Sequence, residues 1–182
     1  SDGSTVPVRL AALDSRYHAD FRLTSDGTTV VFRTPLDATG HRYLFRVPVT
    51  GAEPPTILHP TLLAARRIDD FDVSVGGRVV FQVDFGLFSV SLDGSTAPRR
   101  LLPFGVLAGF QLVPDRELAV CLNLENSALF VVPLDGSTTP RQLTSNGSPP
   151  WIAGFTPDRS RLLYFTGSVY SQIELHSVPL DG

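Results

Sequence analysis

Short apolar runs alternate with polar turns along the whole chain, and this pattern predicts β-strands. The runs are rich in Val, Phe, Leu and Tyr and are bounded by Asp-Gly, Gly-Gly and Asn-Gly pairs, which are strand and turn signals. Asp-Gly suits a tight turn because glycine adopts a positive φ at little cost and aspartate bonds its own backbone. No segment keeps a 3.6-residue apolar period, and the best helical candidate, around 62–68, is short. We therefore expect an almost entirely β chain.

The turns repeat at a nearly constant interval. The phrase Asp-Gly-Ser-Thr-x-Pro begins at Asp2, Asp93 and Asp135, and a weaker copy surrounds Gly51. The turn glycines recur every 42 to 48 residues, and a Leu and a Phe follow each turn at corresponding positions. A repeat of this length with four short strands is typical of a β-propeller blade. We predict an all-β fold, a β-propeller built of four-stranded antiparallel blades, with four blades in the chain.

Residues 1–182 form a single propeller or half-propeller domain in this interpretation, with repeat units at about 2–50, 51–92, 93–134 and 135–182. The innermost strands are predicted near 18–24, 67–74, 108–113 and 151–156. The second strands are predicted near 28–34, 77–84, 117–123 and 160–166, and the third near 42–49, 86–92, 127–133 and 172–179. The outermost strands are predicted near 6–10, 55–59, 98–102 and 140–144.

Two of the inner turns resemble a known repeat. Residues 21–32 read Phe-Arg-Leu-Thr-Ser-Asp-Gly-Thr-Thr-Val-Val-Phe, and residues 154–159 read Gly-Phe-Thr-Pro-Asp-Arg. Both resemble the Ser-Pro-Asp-Gly turn of the TolB-like (WD-repeat-like) β-propeller repeat family, whereas residues 74–77 and 113–116 depart from it. The resemblance implies a ring of six or more blades and favours a periplasmic or extracellular location. It carries over none of the partners of TolB.

The first and last turns of the chain are of the same type, which leaves residues 5–10 as an outer strand without its blade. Because an unpaired edge strand templates further pairing, we expect residues 5–10 to complete the last blade by pairing near 173–179. Exchange between two chains would give an eight-bladed cyclic homodimer, which we favour. A four-bladed ring in one chain and an open fragment of a larger propeller are the alternatives. The absence of Met indicates a processed, excised or engineered piece.

Composition limits the function classes. The chain has 42% hydrophobic and 18% charged residues, which excludes a disordered protein. A net charge of −3 argues against a nucleic-acid partner. No apolar run approaches the roughly 18–20 residues that membrane insertion needs. A single cysteine excludes an internal disulfide and a multi-cysteine zinc site.

The chain offers no convergent catalytic set, so we expect no enzyme activity, no metal site and no cofactor. The histidines show no close ligand spacing and are expected at the surface or in turns: His18, His41, His59 and His176. The acidic segment 69–72 could bind calcium, but the other units lack it, which favours local variation at a blade junction. Cys121 stands where other units have Phe or Tyr and is expected to be a buried apolar residue.

The loops that join each outer strand to the next inner strand are predicted to share one face near the central channel. They lie at about 11–17, 60–66, 103–107 and 145–150. With their flanks they supply the candidate binding residues Tyr17, His18, Arg66, Arg67, Phe104 and Trp151. Trp and Arg are enriched at interaction hot spots, which makes a protein or peptide the candidate ligand. The alternative for Trp151 is that it fills a blade interface.

These observations favour a non-catalytic scaffold that self-assembles and binds a protein or peptide on its loop face. One alternative is an accessory or gating propeller domain of a larger hydrolase. Another is a sugar-binding propeller, which predicts one equivalent aromatic residue in each blade. The loop positions Tyr17, Arg66, Phe104 and Trp151 are not equivalent, and this ranks the sugar-binding interpretation last.

Overall fold

The computed structural model describes residues 6–12, 20–34, 36–38, 40–59, 68–84, 86–102, 107–144, 150–167 and 172–181. Strands within these ranges form four separate antiparallel sheets, each in chain order. The described residues include no helix, and none of them is therefore a candidate for a membrane-spanning helix. The predicted all-β propeller architecture is confirmed.

We call the four sheets blades 1 to 4. Blade 1 contains β1 (Asp20–Leu23), β2 (Thr29–Arg33), β3 (Leu44–Pro48) and β4 (Thr56–Ile57). Blade 2 contains β5 (Ile68–Val73), β6 (Arg78–Val83), β7 (Gly86–Ser91) and β8 (Arg99–Arg100). Blade 3 contains β9 (Leu107–Leu112), β10 (Leu118–Asn123), β11 (Ala128–Pro133) and β12 (Arg141–Gln142). Blade 4 has three strands, β13 (Trp151–Phe155), β14 (Arg161–Thr166) and β15 (Glu174–Pro179).

The repeated Asp-Gly-Ser phrase forms the turn before the outer strands of blades 2 and 3, where its aspartate bonds the backbone. Asp93 Oδ1 accepts a hydrogen bond from the Ser95 N–H at 2.9 Å, and Asp135 does the same with Ser137 at 2.8 Å. The Ser95 hydrogen bonds stabilise the carboxylate and lower the pKa of Asp93 to about 2. The glycine that follows takes a positive φ, 73° at Gly94, which only glycine adopts at little cost.

Three clusters of buried apolar side chains join neighbouring blades. One cluster lies between blades 1 and 2 and includes Val31 and Phe81, and the next joins blades 2 and 3 through Val80 and Cys121. The third, which includes Leu162, joins blades 3 and 4. No such cluster of described residues joins blade 4 to blade 1.

The first segment of the chain differs from the strand predicted at 5–10. Residues 6–12 form no strand, and Val8 and Leu10 lie beside Gly51 of blade 1. β15 pairs with β14 and, among the described residues, with no strand on its other side. Among the described residues, blade 4 therefore has three strands. Exchange between two chains stays a prediction.

Candidate functional site

The structure places one of the six predicted loop-face residues. Trp151 opens β13, and 48% of its surface is exposed. The other five, Tyr17, His18, Arg66, Arg67 and Phe104, lie outside the described residues. The site is therefore built from the exposed sheet faces around Trp151 and from the corresponding face at the other end of the blade series.

Strand register assigns Trp151 to the face of blade 4 that points away from blade 3. Trp151 pairs with Phe165, and Phe165 pairs with Leu175, so the three side chains share a face. Phe165 is 36% and Leu175 60% exposed. The alternate residues on β14, Leu162 and Tyr164, pack towards blade 3 instead. We define Trp151, Leu163, Phe165 and Leu175 as the open face of blade 4.

Blade 1 carries a matching apolar face on its side away from blade 2. The register of β1, β2 and β3 places on one face the side chains of Phe21, Leu23, Val30, Phe32, Phe45 and Val47. Phe21 is 65% and Leu23 53% exposed, whereas Phe32 is 6% and Val47 1% exposed, so the face is open along β1 and buried at parts of β2 and β3. The opposite face holds Val31 and Leu44, which are fully buried against blade 2. We call the first set the open face of blade 1.

A cleft separates residues 6–12 from the open face of blade 1. Two adjoining cavities of about 500 and 450 Å³ share Arg9, Leu10, Ala11 and Phe32 in their linings. Phe45 and Thr34 line the first cavity, and Phe21, Val30 and Val47 line the second. The cleft is thus an apolar space between a chain segment and a sheet, of a size that side chains of another blade would fill.

A smaller cavity of about 380 Å³ lies beside Trp151, between the inner strands of blades 3 and 4. Its lining comprises Ala108, Gly109, Phe110, Gln111, Leu122, Pro150, Trp151 and Ile152. Gln111 is the one polar side chain in that lining. This surface can contact an apolar group and offers a single amide to orient it.

The acidic segment in β5 is part of the junction between blades 1 and 2. Asp72 lies 3.4 Å from the Arg22 guanidinium, which also stacks over the Phe71 ring at 5.4 Å. Arg33 bonds Asp20 and donates to the backbone oxygens of Ile68 and Asp69. These contacts join blade 1 to blade 2 and match the predicted junction role. No group of three or more metal-binding side chains occurs among the described residues.

Of the histidines expected at the surface or in turns, two are partly exposed and one is buried. His41 and His176 are partly exposed and lie near Asp37 and Glu174. The surface or turn position expected for His59 is wrong, because only 2% of it is exposed. Its Nε2 accepts a hydrogen bond from the Leu44 N–H at 2.9 Å, and its ring stacks on Tyr43. The burial that this packing imposes lowers the pKa of His59 from 6.5.

Acid is expected to destabilise the fold through His59. Because the folded-state pKa lies below 6.5, the unfolded chain binds the proton first as the pH falls below that value. The stability present above about pH 6.5 is then lost by up to about 1.4 kcal/mol per pH unit. The variant His59→Gln keeps an acceptor for the Leu44 N–H but does not titrate. Urea unfolding between about pH 7 and 5 should show this loss for the unmodified chain and a smaller one for His59→Gln.

A matched control is His176→Gln, since it makes the same substitution at a partly exposed histidine. If His59→Gln keeps the full pH dependence, protonation of His59 is not its source.

Both open faces were missed by sequence reasoning, although the signal was present. Apolar residues alternate with polar ones at 21 and 23 and at 45 and 47, where Arg22 and Arg46 lie between them, which marks one apolar face of a sheet. The same alternation occurs at 173 and 175, whereas residues 30–32 and 162–165 are apolar throughout and do not distinguish one face from the other. The pattern predicts a face that needs a partner but does not identify the surface that covers it.

Comparison with known proteins finds similarity in structure alone. No protein-family model matches the chain, and no curated protein matches it in sequence. The tricorn protease matches 88% of this chain and 17% of its own, with 15% identity and a TM-score of 0.64. TolB from Acinetobacter baumannii matches 88% of this chain and 43% of its own, with 13% identity and a TM-score of 0.58. Virginiamycin B lyase from Staphylococcus aureus matches 88% of this chain and 55% of its own, with 15% identity and a TM-score of 0.55.

The chain therefore spans between 17% and 55% of the length of these three proteins. At such low identity the likeness shows the fold and no activity. The chain has a TolB-like β-propeller fold, and the resemblance seen in the inner turns is confirmed at the level of structure.

Proposed function

We propose that this chain with a TolB-like β-propeller fold is a non-catalytic scaffold that closes into an eight-bladed ring with a second copy of itself. The observation that carries the proposal is the pair of apolar open faces at the two ends of the blade series. Phe21 is 65% and Leu175 60% exposed, and contiguous apolar patches of this kind mark interaction sites.

The open faces have the composition of the interfaces inside the chain. Strand register aligns Val30, Phe32, Phe45 and Val47 with Ala119, Cys121, Phe130 and Val132 of blade 3. The four blade 3 residues are at most 5% exposed, because blade 2 covers them. The open face of blade 1 thus has the chemistry of a surface that a preceding blade covers.

A second copy supplies such a blade with no further component. Blade 4 of one copy would cover blade 1 of the other, and the same contact would repeat at the second junction. Two identical head-to-tail contacts close a cyclic dimer and leave no open face. The resulting eight blades agree with the six or more that the repeat resemblance implies.

Molar mass in solution tests this proposal, by size exclusion with light scattering over a dilution series. We expect twice the chain mass of 19.7 kDa. Leu175→Arg buries a charge at both junctions and should weaken the dimer by roughly 10²–10⁴-fold, since each leucine contributes about 1.5–3 kcal/mol. Leu124→Arg is the matched control, because Leu124 is 47% exposed and lies between β10 and β11, away from the open faces.

Trp151 reports the same event by fluorescence, as it is the single tryptophan and half exposed in one chain. Its emission should move to shorter wavelength as concentration rises, and Leu175→Arg should prevent the shift. A mass of 19.7 kDa at every concentration would contradict assembly. Equal effects of the Leu175 and Leu124 variants would contradict the assigned faces.

For Trp151 we favour the interface role over the ligand role, because its register places it on the open face of blade 4. A protein or peptide ligand would then bind the loop face of the assembled ring. Assays for hydrolysis with the 182-residue chain should show no turnover, and measurable turnover would contradict the scaffold assignment.

An accessory propeller domain of a larger hydrolase is the second candidate. The likeness to the tricorn protease favours it, since this chain corresponds to 17% of that protein. Further blades of a longer polypeptide would then cover the open faces. The two candidates differ in the mass measurement, because an accessory fragment has no reason to form a discrete dimer with itself.

A further inference from the structure

Every complete blade holds its outer strand by the same hydrogen bond. A leucine N–H at the end of the outer strand donates to a carbonyl at the start of the third strand, at 2.7–3.0 Å, in the pairs Leu58 to Leu44, Leu101 to Leu87 and Leu143 to Leu129. Blade 4 is the exception, because the corresponding carbonyl belongs to Leu175 at the unpaired edge of β15.

Outer strands also contact the blade that follows. Arg99 in β8 of blade 2 donates to the backbone oxygen of Asp135 at 3.1 Å, and its side chain lies against Gly136 of blade 3. In the same way Arg141 of blade 3 donates to the backbone oxygen of Leu180 beside blade 4. An outer strand is thus positioned partly by the next blade and not only by its own.

Residues 6–12 already occupy this position on blade 1. The repeat aligns Val8 with Arg99 and Gly51 with Gly136. Both glycines are approached closely by the segment above them. Val8 Cγ1 lies 2.5 Å from where a β-carbon on Gly51 would be, and Arg99 Nε lies 2.6 Å from where a β-carbon on Gly136 would be. Leu10, the counterpart of Leu101, lines the cleft over blade 1. The first segment therefore lies where the outer strand of a preceding blade would lie.

The described residues include no other strand of such a preceding blade, and the cleft is the space that its side chains would fill. Between blades 2 and 3 the equivalent space holds Val80 and Leu87, both 0% exposed. The hairpin registers align these two residues with Leu163 and Leu175 of blade 4. The side chains that fit the cleft by position are thus those of the open face of blade 4.

We infer that residues 6–10, which already lie in place on blade 1 but form no strand in one chain, become the outer strand that pairs with β15 of a second copy of the chain. We call these residues the docking strand. This inference rests on the proposed assembly and specifies its pairing. The Leu10 N–H donates to the Leu175 carbonyl, as its counterparts do in blades 1 to 3. The register of β7 with β8 then places Arg9 opposite His176 and Val8 opposite Ser177. Blade 4 enters the cleft while the docking strand keeps its place on Gly51.

The exposed end of blade 1 agrees with this pairing. Val49 is 37% exposed, whereas its counterparts Leu134 and Leu180 are at most 2% exposed and its counterpart Leu92 in blade 2 is partly buried. Ser89 Oγ in blade 2 donates to the Leu134 carbonyl at 2.6 Å. Its counterpart in blade 4 is Ser177, and the docked arrangement brings Ser177 to the Val49 carbonyl.

Disulfide trapping between two differently labelled chains tests the register. Arg9 and His176 occupy a pair without mutual backbone hydrogen bonds, where Cα atoms lie about 4.5 Å apart and a disulfide fits. A chain with Arg9→Cys is mixed with a chain with His176→Cys and oxidised. We expect a covalent dimer from the mixture and little from either chain alone. The control pairs Arg9→Cys with Leu175→Cys, whose side chains would point to opposite faces.

A dimer by mass without this disulfide would overturn the docking strand and leave the proposed assembly intact, whereas a mass of one chain would overturn both. Equal trapping by the control pair would also overturn the register.

Amide hydrogen exchange on the unmodified chain checks the result without any substitution. Assembly should slow exchange of the Leu10 amide by at least tenfold relative to the Arg9 amide, and equal exchange at the two positions would contradict the pairing.

Discussion

Replacing Phe81 by alanine should lower the free energy of unfolding by about 3–5 kcal/mol. Phe81 is fully buried between blades 1 and 2, and its ring centroid lies 5.8 Å from that of His59 and 5.9 Å from that of Phe88. The surrounding strands belong to two hydrogen-bonded sheets and cannot collapse to fill the space. The substitution therefore loses the transfer free energy of the ring and leaves a cavity.

Urea unfolding measures this effect in chains that also carry Leu175→Arg, so that assembly does not add to stability. The matched control is Phe21→Ala, because Phe21 is 65% exposed on the open face of blade 1. It should cost less than about 1 kcal/mol in that background. If the two alanine variants are equally stable, the core between blades 1 and 2 does not hold the fold together.

Cys121 should resist thiol reagents in the folded chain and react at once in urea. Its side chain is fully buried in the cluster between blades 2 and 3. Burial raises the pKa of the Cys121 thiol from 9.0 to about 12, which lowers the thiolate fraction near pH 8 by about a thousandfold. Exclusion of the reagent from the core slows the reaction further.

A reagent that releases a coloured thiolate measures the rate, and Ser95→Cys supplies the control because Ser95 lies in an exposed turn. We expect one fast equivalent from that variant and none from the unmodified chain until it unfolds. A fast reaction of native Cys121 would contradict its assignment as a buried apolar residue.

The strands and their order were predictable because their signals are local. The aspartate of each Asp-Gly-Ser turn bonds an N–H two residues ahead, so a few adjacent residues specify the turn. In blade 4 Arg159 takes a φ of 57° at the position of Gly27 in blade 1, so this inner turn keeps its backbone without the family glycine, whereas in blade 3 the positive φ of 60° falls one residue earlier, at Asp115. The departures noted at 74–77 and 113–116 did not disturb the predicted strands, since strands precede and follow both turns.

Predictions that depend on neighbours were less successful. His59 was expected at the surface, but its burial depends on Tyr43 and on Phe81 from blade 2, which its local sequence does not reveal. Residues 5–10 were expected to complete a last blade; residues 6–12 lie beside Gly51 of blade 1 in one chain, and their pairing with β15 stays a prediction. The candidate loop-face residues were chosen by residue type. Trp151 is the one member of this set among the described residues, and it lies on a sheet face.

The sequence by itself determined the all-β class, the four blades and their strand order, because alternation and turn chemistry act within a few residues. Only the tertiary structure decided which sheet faces are covered and which stay open. Apolar residues on one face of a sheet favour burial against another surface, but many surfaces can bury them equally well, since burial of apolar area has no direction. Which surface covers Phe21 or Leu175 depends on how whole blades stack, and this is decided by contacts between residues far apart in the chain.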